Sequence, residues 1–119
     1  MSDVIPATRQ FRAKVAAAVA AGGSVPAITH VGWGTNGDPA SDEQTALGDE
    51  VHRQVVGAAT PDGVLLHVTA TLSGADVPGY AIRELGLFDS DGELAARRAF
   101  SPIELDPGTE IDSTLDLQF

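Results

Sequence analysis

The sequence predicts a mainly β, α+β fold: an N-terminal helix packed on an antiparallel β-sheet or small sandwich. Three observations carry this expectation. Residues 6–21 form the one stretch with helical spacing of apolar residues and capping signals at both ends. Residues 25–119 break into short runs of apolar and β-branched residues separated by Gly, Pro and Asp clusters. The last run, Glu110 to Phe119, alternates almost strictly between apolar and polar residues, the period of a strand with one buried face. A chain of 119 residues is one domain's worth. The expected organisation is therefore a single domain over residues 1–119, with a helix at 6–21 and a β-rich body at 25–119.

Taken in order, Met1 to Ile5 reads as a loose or extended arm. The helix follows, with Pro6 suited to its first turn or Thr8 capping a slightly later start. Phe11, Val15 and Val19 recur at four-residue spacing with Ala18 beside them, and Gly22-Gly23 supplies a C-cap. Its alanine-rich side is a candidate surface for another subunit. Val25 to Gly34 reads as a strand, and Gly34 to Ser41 as a turn-rich loop. Ser41-Asp42-Glu43-Gln44 opens a short helical turn running to Leu47. Val51 to Ala58 has strand character and is expected to pair with Val64 to Ser73 across the Pro61-Asp62-Gly63 turn. In that second strand Val64, Leu66, Val68, Ala70 and Leu72 share the buried face. Gly74 to Gly79 is a link and Ser101 to Gly108 a loop. In the final strand Ile111, Leu115, Leu117 and Phe119 point inward. The total is one helix and about six strands.

The stretch Tyr80 to Phe100, YAIRELGLFDSDGELAARRAF, stands at the centre. Ile82, Leu85, Leu87, Phe88 and Leu94 supply apolar surface for two strands, and Ser90-Asp91-Gly92 supplies the reversal. Arg83 and Glu84 interrupt the first apolar run, where charge is costly unless paired or at an interface. Either Glu84 or Arg83 pairs with a charge on the adjacent strand, where Arg97-Arg98 lies, or one of them reaches across a subunit boundary.

Composition narrows the function. The chain has 7 basic and 17 acidic residues, a net charge of −10. Residues 1–40 hold three basic and two acidic residues, and residues 41–119 hold four and fifteen. So acidic a surface repels phosphate backbones, which argues against nucleic-acid binding. The excess of acid suits either adaptation to high salt or a GC-rich genome. No cysteine is present, so thiolate metal sites, disulfides and a Cys nucleophile are all excluded. No apolar run approaches the length of a membrane span, so membrane insertion is not expected.

Chemical constellations are sparse. His30, His52 and His67 fall on three predicted strands with no metal-ligand spacing among them. Asp89, Asp91 and Glu93 cluster at the central turn and could hold calcium. The pattern lacks the long loop and distant bidentate Glu of an EF-hand, and Asp and Gly are what a hairpin turn selects. No serine sits in a nucleophile-elbow setting. Trp33 and Tyr80 are the large amphipathic rings; either suits core or interface, with core the favoured reading. No catalytic residue, no cofactor and no metal is expected, and the chain is not expected to be an enzyme. A small β-rich module binding carbohydrate, or calcium through Asp89, Asp91 and Glu93, is the alternative.

With these segments placed, the chain resembles the N-terminal domain of phage tail-collar fibre proteins, the part that anchors a fibre on the tail baseplate. The motif is Tyr80-x-x-Arg83-Glu84-x-Gly86-Leu87-Phe88-Asp89, then Gly92 and Leu94. A second stretch, GWGTNGDPASDEQTALGDEVHRQVV from Gly32 to Val56, resembles the family's Gly-rich loop, its Gln-Thr-x-Leu step and a strand bearing an arginine, here Arg53. The resemblance implies a structural component of a phage-type tail: a baseplate or tail-tip adaptor located in the virion. It implies other tail and baseplate proteins as partners, and a homo-oligomer, trimeric by analogy with fibres. Family members continue into a shaft and receptor-binding tip, so an anchor without adhesion is expected here. Candidate subunit or partner contacts are Arg53, Tyr80, Arg83, Glu84, Phe11 and Val15.

Overall fold

The computed structural model describes residues 3–119, and in it the central hairpin forms as the sequence predicts. Strand β6 (Ile82–Asp89) pairs antiparallel with β7 (Leu94–Ile103), with Gly92 at φ 82° in the connecting turn. A Cβ is strained at that φ, which is why the turn takes glycine. The remaining elements are β1 (Asp3–Pro6), α1 (Arg9–Ala21), β2 (Ile28–Gly34), β3 (Glu50–Val55), β4 (Ala58–Asp62), β5 (Leu65–Ser73) and β8 (Glu110–Gln118). They form two four-stranded sheets, ordered β1-β8-β5-β4 and β3-β2-β6-β7. One core cluster draws on both sheets and the helix: Phe11 from α1, Val31 and Trp33 from β2, Val68 and Leu72 from β5, Leu85 and Leu87 from β6, Leu115 and Leu117 from β8.

Several expectations are corrected. Of the two readings of the arm, loose or extended, the structure takes the second: from Asp3 onward it is strand β1, and it runs parallel to β8, with Ile5 opposite Leu117. Met1 and Ser2, the start of that arm, lie outside the described residues. The sheets are thus not wholly antiparallel, and the strands number eight among the described residues. The helix begins at Arg9, not Pro6; Thr8 is the N-cap, its Oγ1 accepting the Phe11 N–H. Thr8 also donates to the Leu94 carbonyl at 2.8 Å, which ties the helix start to β7. Gly22 closes the helix in the left-handed region, as expected. The buried stripe is Phe11, Val15 and Ala18, at i, i+4 and i+7. Val19, at i+8, has rotated off that stripe and is 79% exposed.

The strand expected over Val51 to Ala58 is two strands in different sheets. The Val56 N–H bonds to Thr29 O at 3.0 Å, and the next N–H, of Gly57, bonds to Thr69 O at 2.8 Å on β5. Consecutive amides serving opposite sheets mark the crossing. The hairpin partner of β5 is therefore β4, and β3 instead pairs with β2. Val64, expected inward, lies in the turn and is 89% exposed, while Leu66, Val68, Ala70 and Leu72 keep the inward face. The expected helical turn at 43–47 is an irregular loop. The strand expected from Val25 begins at Ile28, and Val25 is exposed. The Gly74–Asp76 link is a short 3-10 turn. The loop expected from Ser101 begins after Ile103. Phe119 is half-exposed rather than inward, its ring 6.0 Å from that of Phe11. Three strands contain proline, β1, β4 and β7, and all three are edge strands, which have one side free of ladder bonds where a missing N–H is tolerated.

Candidate functional site

β6 has two working faces. Leu85 and Leu87 enter the main core, while Glu84, Gly86 and Phe88 face the other way. That second face is covered by the fifteen residues between β2 and β3, Thr35 to Asp49. Loops of this length without secondary structure are uncommon and need a reason to be ordered. The reason here is a buried ion pair.

Glu84 is fully buried and Arg97, on the adjacent strand, is 4% exposed. Arg97 Nε donates to Glu84 Oε1 at 2.9 Å. The same carboxylate accepts the N–H groups of Gly48 (2.8 Å), Asp49 (2.8 Å) and Asn36 (3.0 Å). The Arg97 guanidinium donates onward to the carbonyls of Asn36 and Asp38, each at 2.9 Å, and to Gln44 Oε1 at 3.2 Å. Every partner outside the pair itself lies on the loop. No buried side-chain polar atom among the described residues is left without a partner, which is the condition under which a buried charge pair is tolerable. Burial pushes the Glu84 carboxyl up. The Asp49 N–H, the Arg97 guanidinium and the N–H groups of Gly48 and Asn36 outweigh it and hold the group below the usual carboxylate range.

Beside the pair, glycines make room for the loop. Gly32 on β2 lies opposite Gly86 on β6, and Leu47 lies over them, forming a second small cluster with Phe88 and Leu94. A Cβ at Gly86 would stand 2.7 Å from Leu47 Cδ2 and 2.8 Å from Leu94 Cδ1. Next along, the Arg53 guanidinium stacks 3.6 Å from the Phe88 ring centroid and forks onto Glu50 at 2.7 and 2.8 Å. The hydrogen bonds to Glu50 raise the Arg53 pKa against the opposing effect of burial.

At the far end of the hairpin, Lys14 of α1 reaches the acidic turn. Its Nζ lies 2.6 Å from Asp89, 3.1 Å from Asp91 and 2.6 Å from Glu93. These carboxylates lie close enough together to hold a metal ion, and the ammonium is the cation they surround. Burial pulls the Lys14 pKa down, but the hydrogen bonds to Asp89, Glu93 and Asp91 raise it above the ordinary lysine range. Asp89 also accepts the N–H groups of Asp91 and Glu93, each at 3.0 Å, closing the turn.

The sequence-derived contact candidates separate. Glu84 is committed inside the chain. Phe11 is in the core and Val15 packs against it. Arg53 is partly exposed and engaged with Phe88 and Glu50. Arg83 is exposed, its stem beside Gly37 of the loop. Of the two rings for which core was favoured over interface, Tyr80 is 45% exposed, while Trp33 is in the core and stacks with His52. The histidines are locally bonded: His30 to Thr29, His52 to Gln54 and His67 to Asp116. Sequence reasoning singled out Glu84 and the arginines, with an intrachain pair and a subunit contact both open, but missed Asn36, Leu47, Gly48 and Asp49 as partners, and missed Lys14 as the cation of the acidic turn. The available signal was the coincidence of a charge and a glycine on one face of an apolar strand.

A family model described as phage tail-collar fibre protein, N-terminal, matches residues 3–102. The match takes in β6, most of β7 and the whole covering loop. No curated protein and no solved structure matches the chain.

Proposed function

The chain belongs to the family of phage tail-collar fibre protein N-terminal domains, structural parts of the virion tail, and we propose that it serves there as an adaptor at the baseplate or tail tip. The observation that carries the reading is the buried Glu84–Arg97 pair with its loop. The residues of the family-like motif are spent on shape: Glu84 holds the loop, Gly86 admits Leu47, Phe88 seats Arg53, and Asp89 closes the turn on Lys14. Such a body suits a part that must hold geometry and turn nothing over.

In this reading residues 3–119 act as one rigid domain, the two sheets packed as a small sandwich, working as a homo-oligomer against other tail proteins. Arg83, Tyr80 and the exposed helix side with Ala16, Ala17, Val19 and Ala20 are the surfaces available for contacts. The calcium-binding alternative loses support because Lys14 already fills the carboxylate cluster. Antibodies raised against the purified protein are expected to label one end of the tail in electron micrographs of intact particles. Labelling confined to the capsid, or particles free of the protein, would overturn the reading.

A further inference from the structure

Asn36 is the sole asparagine of the chain, and glycine follows it. Glycine carries no Cβ, so its backbone nitrogen approaches the preceding carboxamide with least obstruction. In the folded chain that carboxamide is held still. The Asn36 N–H donates to Glu84 Oε2 at 3.0 Å, and its carbonyl accepts from Arg97 at 2.9 Å. Asn36 Oδ1 accepts the Asp38 N–H at 2.8 Å. The carboxamide lies so close to Gly48 that a Cβ there would collide with it. Asn36 is half-buried, while Gly37 is exposed to water.

We propose that Asn36 is a site of spontaneous deamidation, kept slow by the Glu84–Arg97 pair, and that its product loosens the loop. The Gly37 backbone nitrogen attacks Asn36 Cγ. The N–Cγ bond forms and the Cγ–Nδ2 bond breaks. Nδ2 leaves as ammonia, taking the proton lost from the Gly37 amide. One water then opens the five-membered succinimide, giving aspartate by cleavage at Cγ or isoaspartate by cleavage at the main-chain carbonyl carbon. Water is the only co-reactant, and nothing is oxidised or reduced. Cyclisation requires rotation about the bonds on either side of the Asn36 Cα. The hydrogen bonds to Glu84, Arg97 and Asp38 resist those rotations, so the reaction waits for local opening of the loop. Either product adds one negative charge to a site balanced at one carboxylate and one guanidinium. In aspartate the new carboxylate stands against Gly48, whose N–H is already given to Glu84. In isoaspartate it replaces the carbonyl that Arg97 holds, and the main chain is one atom longer. Two carboxylates then share one arginine, which weakens the hold on the loop.

The test uses the full chain, kept folded at neutral pH and room temperature for weeks. Intact mass reads the exchange of NH₂ for OH, and a peptide digest separates aspartate from isoaspartate at residue 36. Glu84→Gln should deamidate about tenfold faster than wild type or more, with hydrogen exchange at Gly48 and Asp49 rising in step. Gln44→Ala, a milder change, removes one loop bond to Arg97 and one to Ser41 and should accelerate the reaction about threefold. Leu115→Ala opens the main core instead and should leave the rate near that of wild type, which separates loop opening from global unfolding. Gly37→Ala should slow the reaction about tenfold. Asn36→Asp, which carries the charge of the product, should show faster exchange at Gly48 and Asp49. Equal rates in wild type, Glu84→Gln and Gln44→Ala would overturn the proposal, as would Leu115→Ala reacting as fast as Glu84→Gln. Unchanged exchange in Asn36→Asp would overturn the claim that the product loosens the loop.

Discussion

Replacing Glu84 by glutamine keeps the shape of the side chain and removes its charge. The carboxylate accepts four donors: three backbone N–H groups and the Arg97 Nε. A glutamine offers one accepting oxygen, and its NH₂ group would face N–H donors. It also leaves the guanidinium of Arg97 buried without its counter-charge. Breaking a buried, fully bonded pair by changing one partner costs roughly 3–5 kcal/mol, against a total stability on the order of 5–15 kcal/mol. At about 4 °C per kcal/mol for a chain of this size, Glu84→Gln should lower the melting temperature by roughly 12–20 °C. Urea denaturation gives the free energy directly, and hydrogen exchange at Asn36, Gly48 and Asp49 reports whether the loop is what loosens.

The pH dependence follows with a definite sign. The folded-state pKa of Glu84 lies below its unfolded value. Its contribution is therefore complete above the unfolded carboxylate pKa, about 4.3, and is lost as pH falls through the lower folded value. The wild-type protein should lose this increment in acid, and Glu84→Gln should lack that part of the pH profile. A variant losing less than about 1 kcal/mol, with unchanged exchange in the loop, would refute the claim that the pair holds the loop down.

Three further outcomes are expected. Gly86→Ala should destabilise by about 1–3 kcal/mol through overpacking against Leu47, and in a double-mutant cycle Leu47→Ala should recover part of that loss; strict additivity in urea melts would contradict the contact. Lys14→Gln should cost about 1–2 kcal/mol, mainly from leaving buried Asp89 unpaired. Calcium should then raise the variant's melting temperature while leaving wild type unchanged, and a calcium response in wild type would show that the ammonium does not fill the site. Arg53→Ala should cost about 1 kcal/mol through loss of the Phe88 stack and the Glu50 fork, and no measurable change would reduce that stack to a surface contact.

Legibility tracked locality. The β6–β7 hairpin, the caps at Thr8 and Gly22, and the alternation of β8 depend on neighbours a few residues away, and each could be read from the chain. Strand β1 could not, because its partner residues lie more than a hundred positions along the sequence and four residues carry little periodicity. The break between β3 and β4 has one mark in the sequence, Gly57 inside an otherwise strand-like run; the change of sheet is made by single hydrogen bonds at Val56 and Gly57. At the site, the oddity of Glu84 in an apolar run was visible, but two accounts of it were open. Choosing between them needed the loop, whose residues Asn36, Gly48 and Asp49 contribute main-chain amides and so leave no side-chain signature. Gly32 and Gly86 carried the better clue: two glycines, each inside an apolar run, face each other to admit Leu47.

The most direct test of the adaptor role is a cryo-electron microscopy reconstruction of the tail from particles carrying this chain. The account predicts density at the distal end of the tail, at the baseplate or tip, that fits the two four-stranded sheets with the Thr35–Asp49 loop packed against β6. Density for this domain in the capsid, or a complete tail end with no place for it, would contradict the account.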